Sequence, residues 1–219
     1  MPDAVICGYA RTPFGRFRGA LSSYSAVELG VRAVEELLRR TGIDPSGGEI
    51  DQVYMGQVLQ AGAGQAPARQ VALGCGMPNS TSCTTINKVC GSSLKAVMIA
   101  ASEIRAGVSE LVVAGGMESM SNAPRFIREA RRGEDVPFKS LLSILSHDGL
   151  TDAFSGELMG NTGETCALEY GISREESDAY SLRSHKLSAK GWENGGIEKE
   201  CLSMEELSID EGIRQYEDM

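Results

Sequence analysis

The sequence predicts an α/β fold in which helices cover a mixed, mostly parallel sheet. Segments typical of strands alternate with segments typical of helices along residues 1–121, and this order favours parallel strands joined by helical crossovers. Aromatic residues make up 5% of the chain, whereas glycine is plentiful with 26 residues. That composition fits aliphatic packing and tight turns better than it fits a β-sandwich.

Four short apolar runs are predicted to be strands, because turn-forming residues bound them. These runs are Ala4–Cys7, Val53–Met55, Cys83–Ile86 and Leu111–Ala114. Ala4–Cys7 is interpreted as the first core strand. Leu111–Ala114, which a pair of glycines ends, is interpreted as a buried strand.

Three helices are predicted between these strands from caps and periodicity. The first follows a Ser-x-x-Glu capping box at Ser25–Glu28, the second spans Pro67–Leu73, and the third runs from Cys90 to Gly107. Apolar residues at helical spacing make one face of the third helix apolar. They are Leu94, Val97, Met98, Ala101, Ile104 and Val108.

The composition changes in the second half of the chain. Residues 125–139 are rich in charge and show no strand alternation. Farther along, Asn161–Glu164 and Ser173–Glu176 both look like helix caps. We therefore predict two domains, one spanning residues 1–121 and the other spanning residues 122–219.

Cys90 is the candidate for chemistry, because it lies where the extended run Thr84–Ile86 gives way to a helix. A helix N-terminus carries partial positive charge and unpaired N–H groups, which favour a thiolate over a thiol. The same N–H groups can hold a developing oxyanion. Most free cysteines are structural and buried, so position alone leaves both a nucleophile and a core residue open.

Several segments of the chain resemble the thiolase family, and they occur in the family's order. The longest is Gly115–Pro124, which contains a Met-Glu-Ser-Met run. The others are Arg11–Gly15, Gly64–Gln70, Asn87–Ser92, Asp148–Ala153, Met159–Gly160 and Ser173–Ser181. Ketoacyl synthases share the fold and a nucleophilic cysteine, but they lack the Met-Glu-Ser-Met run and usually have more serines after the cysteine.

The resemblance implies a layered αβα N-terminal domain followed by part of an inserted loop domain. It also implies that Cys90 is the nucleophile that accepts an acyl group from a thioester. Met117 resembles a residue near the reactive centre, and Met159 resembles one that lines the pantetheine and acyl channel; core packing is the alternative for both. Leu158 stands where many biosynthetic members have histidine, and Ser93 stands where glycine is usual.

Two further groups of the family's reaction are missing from this sequence. They are a histidine in a Gly-His-Pro turn and a cysteine before a run of glycines, whereas the histidines here are His147 and His185, in other contexts. The resemblance therefore implies the first half of a thiolase fold, without its C-terminal half, and a chain that is not competent alone. The alternative is a non-catalytic truncated or split subunit that acts as an assembly or binding module.

Charge and cysteine usage limit the partners. The net charge of −9 argues against general nucleic-acid binding. Six cysteines without C-x-x-C spacing argue against a zinc site or any other metal. We see no signal segment and no run near the roughly eighteen apolar residues of a membrane span. We therefore expect a cytoplasmic protein that needs no cofactor, uses acyl-CoA as substrate, and assembles as a homo-oligomer or with a complementary C-terminal half.

Overall fold

A three-stranded parallel sheet forms the centre of the first half of the chain. The computed structural model describes residues 3–127, 137, 139 and 141–214. The sheet contains β1 (Gln52–Gly56), β2 (Ser82–Ile86) and β3 (Val112–Gly116) in the order β2-β1-β3. All five residues of β1 pair with both neighbours. The predicted α/β class is confirmed, and β1 is the central strand.

Helices cover both faces of this sheet. They are α1 (Ala26–Thr41), α2 (Pro67–Gly74) and α3 (Ser92–Ala106). Side chains alternate along a strand, so Val53 and Met55 point into the core under α1 and α2, whereas Tyr54 packs under α3. The predicted capping box at Ser25 is present, and Gly42 ends α1 with a left-handed φ of 71°.

The apolar face predicted for α3 is exposed rather than buried. Leu94 is 65% exposed, Met98 52% and Val108 66%, whereas the buried residues are Ser92, Ala96 and Ala100. Small residues are needed on the buried face because the helix lies close against β1 and β3. Leu94 and Met98 therefore point away from the sheet, whereas Ile99 packs against the cluster under the helix.

The prediction of a strand at Ala4–Cys7 is wrong. These residues form no strand, and Val5 and Ile6 are 73% and 79% exposed. The segment lies beside the end of α1, where Tyr9 O accepts a hydrogen bond from Arg40 Nη1 (3.4 Å). A strand needs a neighbouring backbone with which to pair, and this segment has none among the described residues.

The second half of the described chain is thinly packed. It contains β4 (Arg125–Phe126), β5 (Leu142–Ser143), a π-helical turn (Leu145–Leu150), α4 (Met159–Tyr170) and α5 (Arg174–Glu193). The strands β4 and β5 are antiparallel, and neither α4 nor α5 has a buried residue. Two short 3-10 turns complete the described elements, at Pro45–Gly47 and Met120–Asn122.

The two helix caps predicted in this half have different outcomes. The capping box at Ser173–Glu176 is confirmed at the start of α5. Asn161–Glu164 lies inside α4 instead, because that helix starts two residues earlier after Leu158 and has no side-chain cap. Most of the charged segment 125–139 lies outside the described residues, since 128–136 and 138 are not described.

Candidate active site

Cys90 is an exposed thiol on the turn that leads into α3. The first helical residue is Ser92, and Gly91 is the N-cap and supplies no side-chain hydrogen bond. Val89, just before the cysteine, has a φ of +48°, a conformation that β-branched residues rarely adopt. Asn87 Oδ1 accepts a hydrogen bond from Val89 N (2.9 Å), which holds this turn. Strain of this kind clusters at functional sites.

The buried side chain of Ser92 holds the turn at Lys88–Val89 through two hydrogen bonds. Its hydroxyl donates to Val89 O (2.6 Å) and accepts from Lys88 N (2.8 Å), while only 4% of the residue is exposed. The turn before the cysteine is therefore anchored to the first residue of α3. Sequence reasoning missed this serine; the signal that could have found it is a hydroxyl at the first helical position after the Cys-Gly pair.

Two glycines let the start of α3 approach the sheet. A Cβ on Gly56 would lie 2.5 Å from Ser93 N and 2.6 Å from the carbonyl carbon of Ser92. A Cβ on Gly116 would lie 2.7 Å from Ser93 Cβ. These glycines end β1 and β3, so the helix N-terminus lies directly over the carboxyl ends of the strands. In open parallel sheets, ligands bind at this edge.

A cleft of about 570 Å³ opens beside Cys90. Its lining includes residues 10–17, Gly56–Val58 and 116–121. Such a volume is within the range of small-molecule sites. Cys90 and Met117 therefore share one cavity.

The two methionines singled out in the sequence differ in position. Met117 lines the cleft, but only 7% of it is exposed and it belongs to the core cluster under α1. The residue therefore both contributes to the wall of the cleft and packs in the core. Met159 is 43% exposed at the start of α4 and is not among the residues that line the cleft. Its role in an acyl channel stays a prediction.

The cleft also contains polar groups that sequence reasoning did not single out. The half-buried carboxylate of Glu118 accepts hydrogen bonds from Val58 N (2.9 Å) and Leu59 N (3.3 Å). Burial raises the pKa of Glu118 and outweighs these two hydrogen bonds, which lower it. Gln57 is 2% exposed, and its Oε1 has no hydrogen-bond partner within the described part of the chain. For Glu118, the Met-Glu-Ser-Met run was the available signal.

Neither histidine lies in this cleft. His147 Nδ1 is 2.5 Å from Asp148 Oδ1, and His185 Nδ1 accepts from Arg214 N (3.2 Å). Within residues 3–127 and 141–214, no group of three His, Cys, Asp or Glu side chains is placed to hold a metal ion. In the same part of the chain, no helix is long and apolar enough to cross a bilayer.

Replacing Ser92 by alanine is expected to lower the free energy of unfolding by about 1–2 kcal/mol, because a buried acceptor and donor pair is lost. Ser93→Ala is the matched control, since Ser93 is exposed and its Cβ is retained. That change is expected to stay within about 0.5 kcal/mol. Urea unfolding of both variants measures the difference, and equal losses would contradict a special role for the Ser92 hydroxyl.

The fold and the cysteine turn define the class of protein. The family described as Thiolase, N-terminal domain matches residues 4–217, and the chain therefore belongs to the thiolase family. The resemblance read from the sequence is thereby confirmed.

Three relatives show how far the similarity extends. The chain is 46% identical over 203 residues to Acetyl-CoA acetyltransferase 2 of Arabidopsis thaliana, covering 93% of this chain and 50% of that protein. It is 48% identical over 202 residues to a probable acetyl-CoA acetyltransferase of Escherichia coli K12, covering 92% and 51%. The crystal structure of Acat5 thiolase from Ascaris suum in complex with coenzyme A superposes with a TM-score of 0.89 at 37% identity, covering 96% and 55%. The chain thus spans about half the length of these relatives.

Proposed function

We propose that Cys90 accepts an acyl group from an acyl-CoA thioester. The sulfur gives up its proton and forms a new carbon–sulfur bond with the thioester carbonyl carbon. The carbon–sulfur bond to coenzyme A then breaks, and coenzyme A takes up the proton and leaves as the free thiol. Sulfur suits this exchange because it is both a good nucleophile and a good leaving group. The observation that carries the proposal is an exposed cysteine before a helix N-terminus, open to a cleft of about 570 Å³.

The complete reaction proposed for this family is an acetyl-CoA C-acyltransferase reaction. A second acetyl-CoA loses a proton from its α-carbon, and the carbanion attacks the acyl group on the cysteine to give a 3-ketoacyl-CoA; thiolysis is the reverse. Support comes from the relatives named acetyl-CoA acetyltransferases and from the neighbour solved with coenzyme A. Coenzyme A thioesters are the proposed substrates, and no additional cofactor is proposed.

This chain alone is expected to perform only the first step. Deprotonation of an α-carbon needs a base within hydrogen-bond reach, and neither His147 nor His185 lines the cleft. The carboxylate of Glu118 is engaged by two backbone N–H groups. Acyl transfer to Cys90 removes no proton from carbon, so it does not need a base for that step.

A partner is proposed for the exposed face of α3. Leu94 and Met98 lie one turn apart on α3 and are more than half exposed, and exposed apolar surface marks interaction sites. A second copy of the chain or a complementary C-terminal half would cover this face. A binding or assembly module without catalysis is the second candidate function, favoured by the lack of a histidine at the cleft. The cytoplasm is the proposed location, because all six cysteines are free thiols.

The test is acetyl transfer from acetyl-CoA, read by intact mass. The unaltered chain is expected to gain one acetyl group, and Cys90→Ser is expected to lose this labelling. Cys166→Ser removes another exposed cysteine as a matched control and is expected to label normally. Labelling that survives in Cys90→Ser would refute the assignment, and no labelling of the unaltered chain would favour the assembly module.

A further inference from the structure

We propose that Asp210 and Glu211 are positioning residues that hold one wall of the Cys90 cleft in the shape that an acyl-CoA requires. The wall is the segment Thr12–Leu21, most of which lines the cleft. This inference rests on the proposed function. It assigns a role in the site to a segment from the other half of the chain.

The wall has no helix or strand of its own, and three of its backbone N–H groups donate to two carboxylates. Phe14 N donates to Asp210 Oδ1 (2.8 Å), and Arg16 N donates to Glu211 Oε2 (2.7 Å). Ala20 N lies 3.3 Å from both oxygens of Glu211. Glu211 N in turn donates to Phe14 O (2.9 Å). Backbone groups of a loop need partners of this kind to keep one conformation.

Close packing makes this attachment specific. A Cβ on Gly19 would overlap the carboxylate of Glu211, so the loop closes tightly around that side chain. Arg18 has a φ of +58°, and its N–H donates to Ser121 Oγ (2.8 Å). Ser121 itself lines the cleft after Met117. The wall is therefore tied both to Glu211 and to the segment that contributes Met117.

Asp210 is itself held in place. Arg11 donates to both of its oxygens (2.7 and 3.0 Å), and Trp192 Nε1 donates to Oδ2 (3.2 Å). The Arg11 guanidinium also lies 4.7 Å from the centre of the Phe14 ring. These hydrogen bonds restrict the movement of the Asp210 carboxylate. Because the wall is hydrogen-bonded to this carboxylate, it keeps one position and can orient a long substrate. A small displacement of the wall would misplace the substrate relative to Cys90 and strongly lower the rate of acyl transfer.

The experiment compares Glu211→Ala with Glu205→Ala. Glu205 is an exposed residue of the same segment and gives the same change in charge. Trypsin cleavage after Arg16 and Arg18 reports whether the wall is held, and it is expected to speed up by about fivefold in Glu211→Ala only. In Glu211→Ala, the rate at which acetyl-CoA acetylates Cys90 is expected to fall by about tenfold. The rate at which iodoacetamide alkylates Cys90 is expected to change by less than about twofold in the same variant.

The two arms separate the possible failures. Unchanged cleavage in Glu211→Ala, or acetylation and alkylation falling equally, overturns the positioning role. If the unaltered chain is never acetylated, the proposed function fails, and cleavage alone then decides whether the carboxylates hold the wall. Glu211→Gln keeps one acceptor oxygen, so it is expected to restore most of the acetylation. If the alanine variant does not fold, Gly19→Ala takes its place, because the added methyl would overlap the Glu211 carboxylate and is expected to raise cleavage and lower acetylation in the same way.

Discussion

Gly56→Ala is expected to lower the free energy of unfolding by about 3 kcal/mol, the upper end of the cost of overpacking. The added methyl would lie 2.5 Å from Ser93 N and 2.6 Å from the carbonyl carbon of Ser92. Both atoms belong to the backbone at the start of α3, so no rotation of a side chain relieves the overlap. The helix end must move, and the turn that carries Cys90 must move with it.

A matched control exists on the neighbouring strand. A Cβ on Gly115, in β3, would meet only Met55 Sδ, at 3.9 Å, so Gly115→Ala is expected to change stability by less than about 0.5 kcal/mol. Urea unfolding gives the stability of both variants, and acetylation of Cys90 in native buffer gives the effect on the site. Equal midpoints for the two variants would show that α3 does not need this close approach.

The elements that were predictable from sequence have local causes. The capping box at Ser25 and the αL stop at Gly42 are contained within α1 and its flanks. The strand runs around Val53, Cys83 and Leu111 are short, apolar and bounded by turns. Each such signal depends on a few neighbouring residues, so these elements can be predicted without knowing which distant segments pack against them.

The errors arise where the outcome depends on distant parts of the chain. Ala4–Cys7 has the composition of a strand, but pairing depends on which backbone lies beside it, and α1 lies there instead. Periodicity identified an apolar face on α3, but the face that packs on the sheet carries Ser92 over Gly56, and Ala96 and Ala100 against Tyr54. Local pattern cannot decide between two apolar faces of one helix.

The same distinction applies to the candidate site. Cys90 was found because its position before a helix is a local feature, and its role stays a prediction until it is tested. The wall that Asp210 and Glu211 support was not found, because their partners Phe14 and Arg16 lie 196 and 195 residues away in sequence. No spacing rule links residues so far apart.

Asp210→Asn is expected to lower the free energy of unfolding by about 2 kcal/mol at pH 7, less than the loss for a fully buried pair because both side chains keep some contact with water. Asp210 and Arg11 side chains are 13% and 22% exposed, and their closest contact is 2.7 Å. Burial raises the pKa of Asp210, but the hydrogen bonds from Arg11 and Phe14 outweigh it and hold the pKa below its usual range.

The sign of this shift fixes the pH dependence. A carboxylate whose pKa is lower in the folded state contributes stability above its unfolded pKa of about 4, and that contribution disappears as the pH falls through the folded pKa. The unaltered chain is therefore expected to lose stability more steeply below pH ~4 than Asp210→Asn, which has no proton to take up there. Urea unfolding at a series of pH values compares the two slopes.

Glu200→Gln provides the matched control for this prediction. Glu200 also contacts Arg11 (2.8 Å), but its side chain is 44% exposed, so its loss is expected to cost less than about 1 kcal/mol. Parallel pH profiles for the unaltered chain and Asp210→Asn would contradict the assignment. The larger effect is expected at Asp210 because its two oxygens accept from Phe14 N, Trp192 Nε1 and two nitrogens of Arg11. An asparagine NH2 group cannot accept from the donors that face it, whereas Glu200 accepts only from Arg11 Nε.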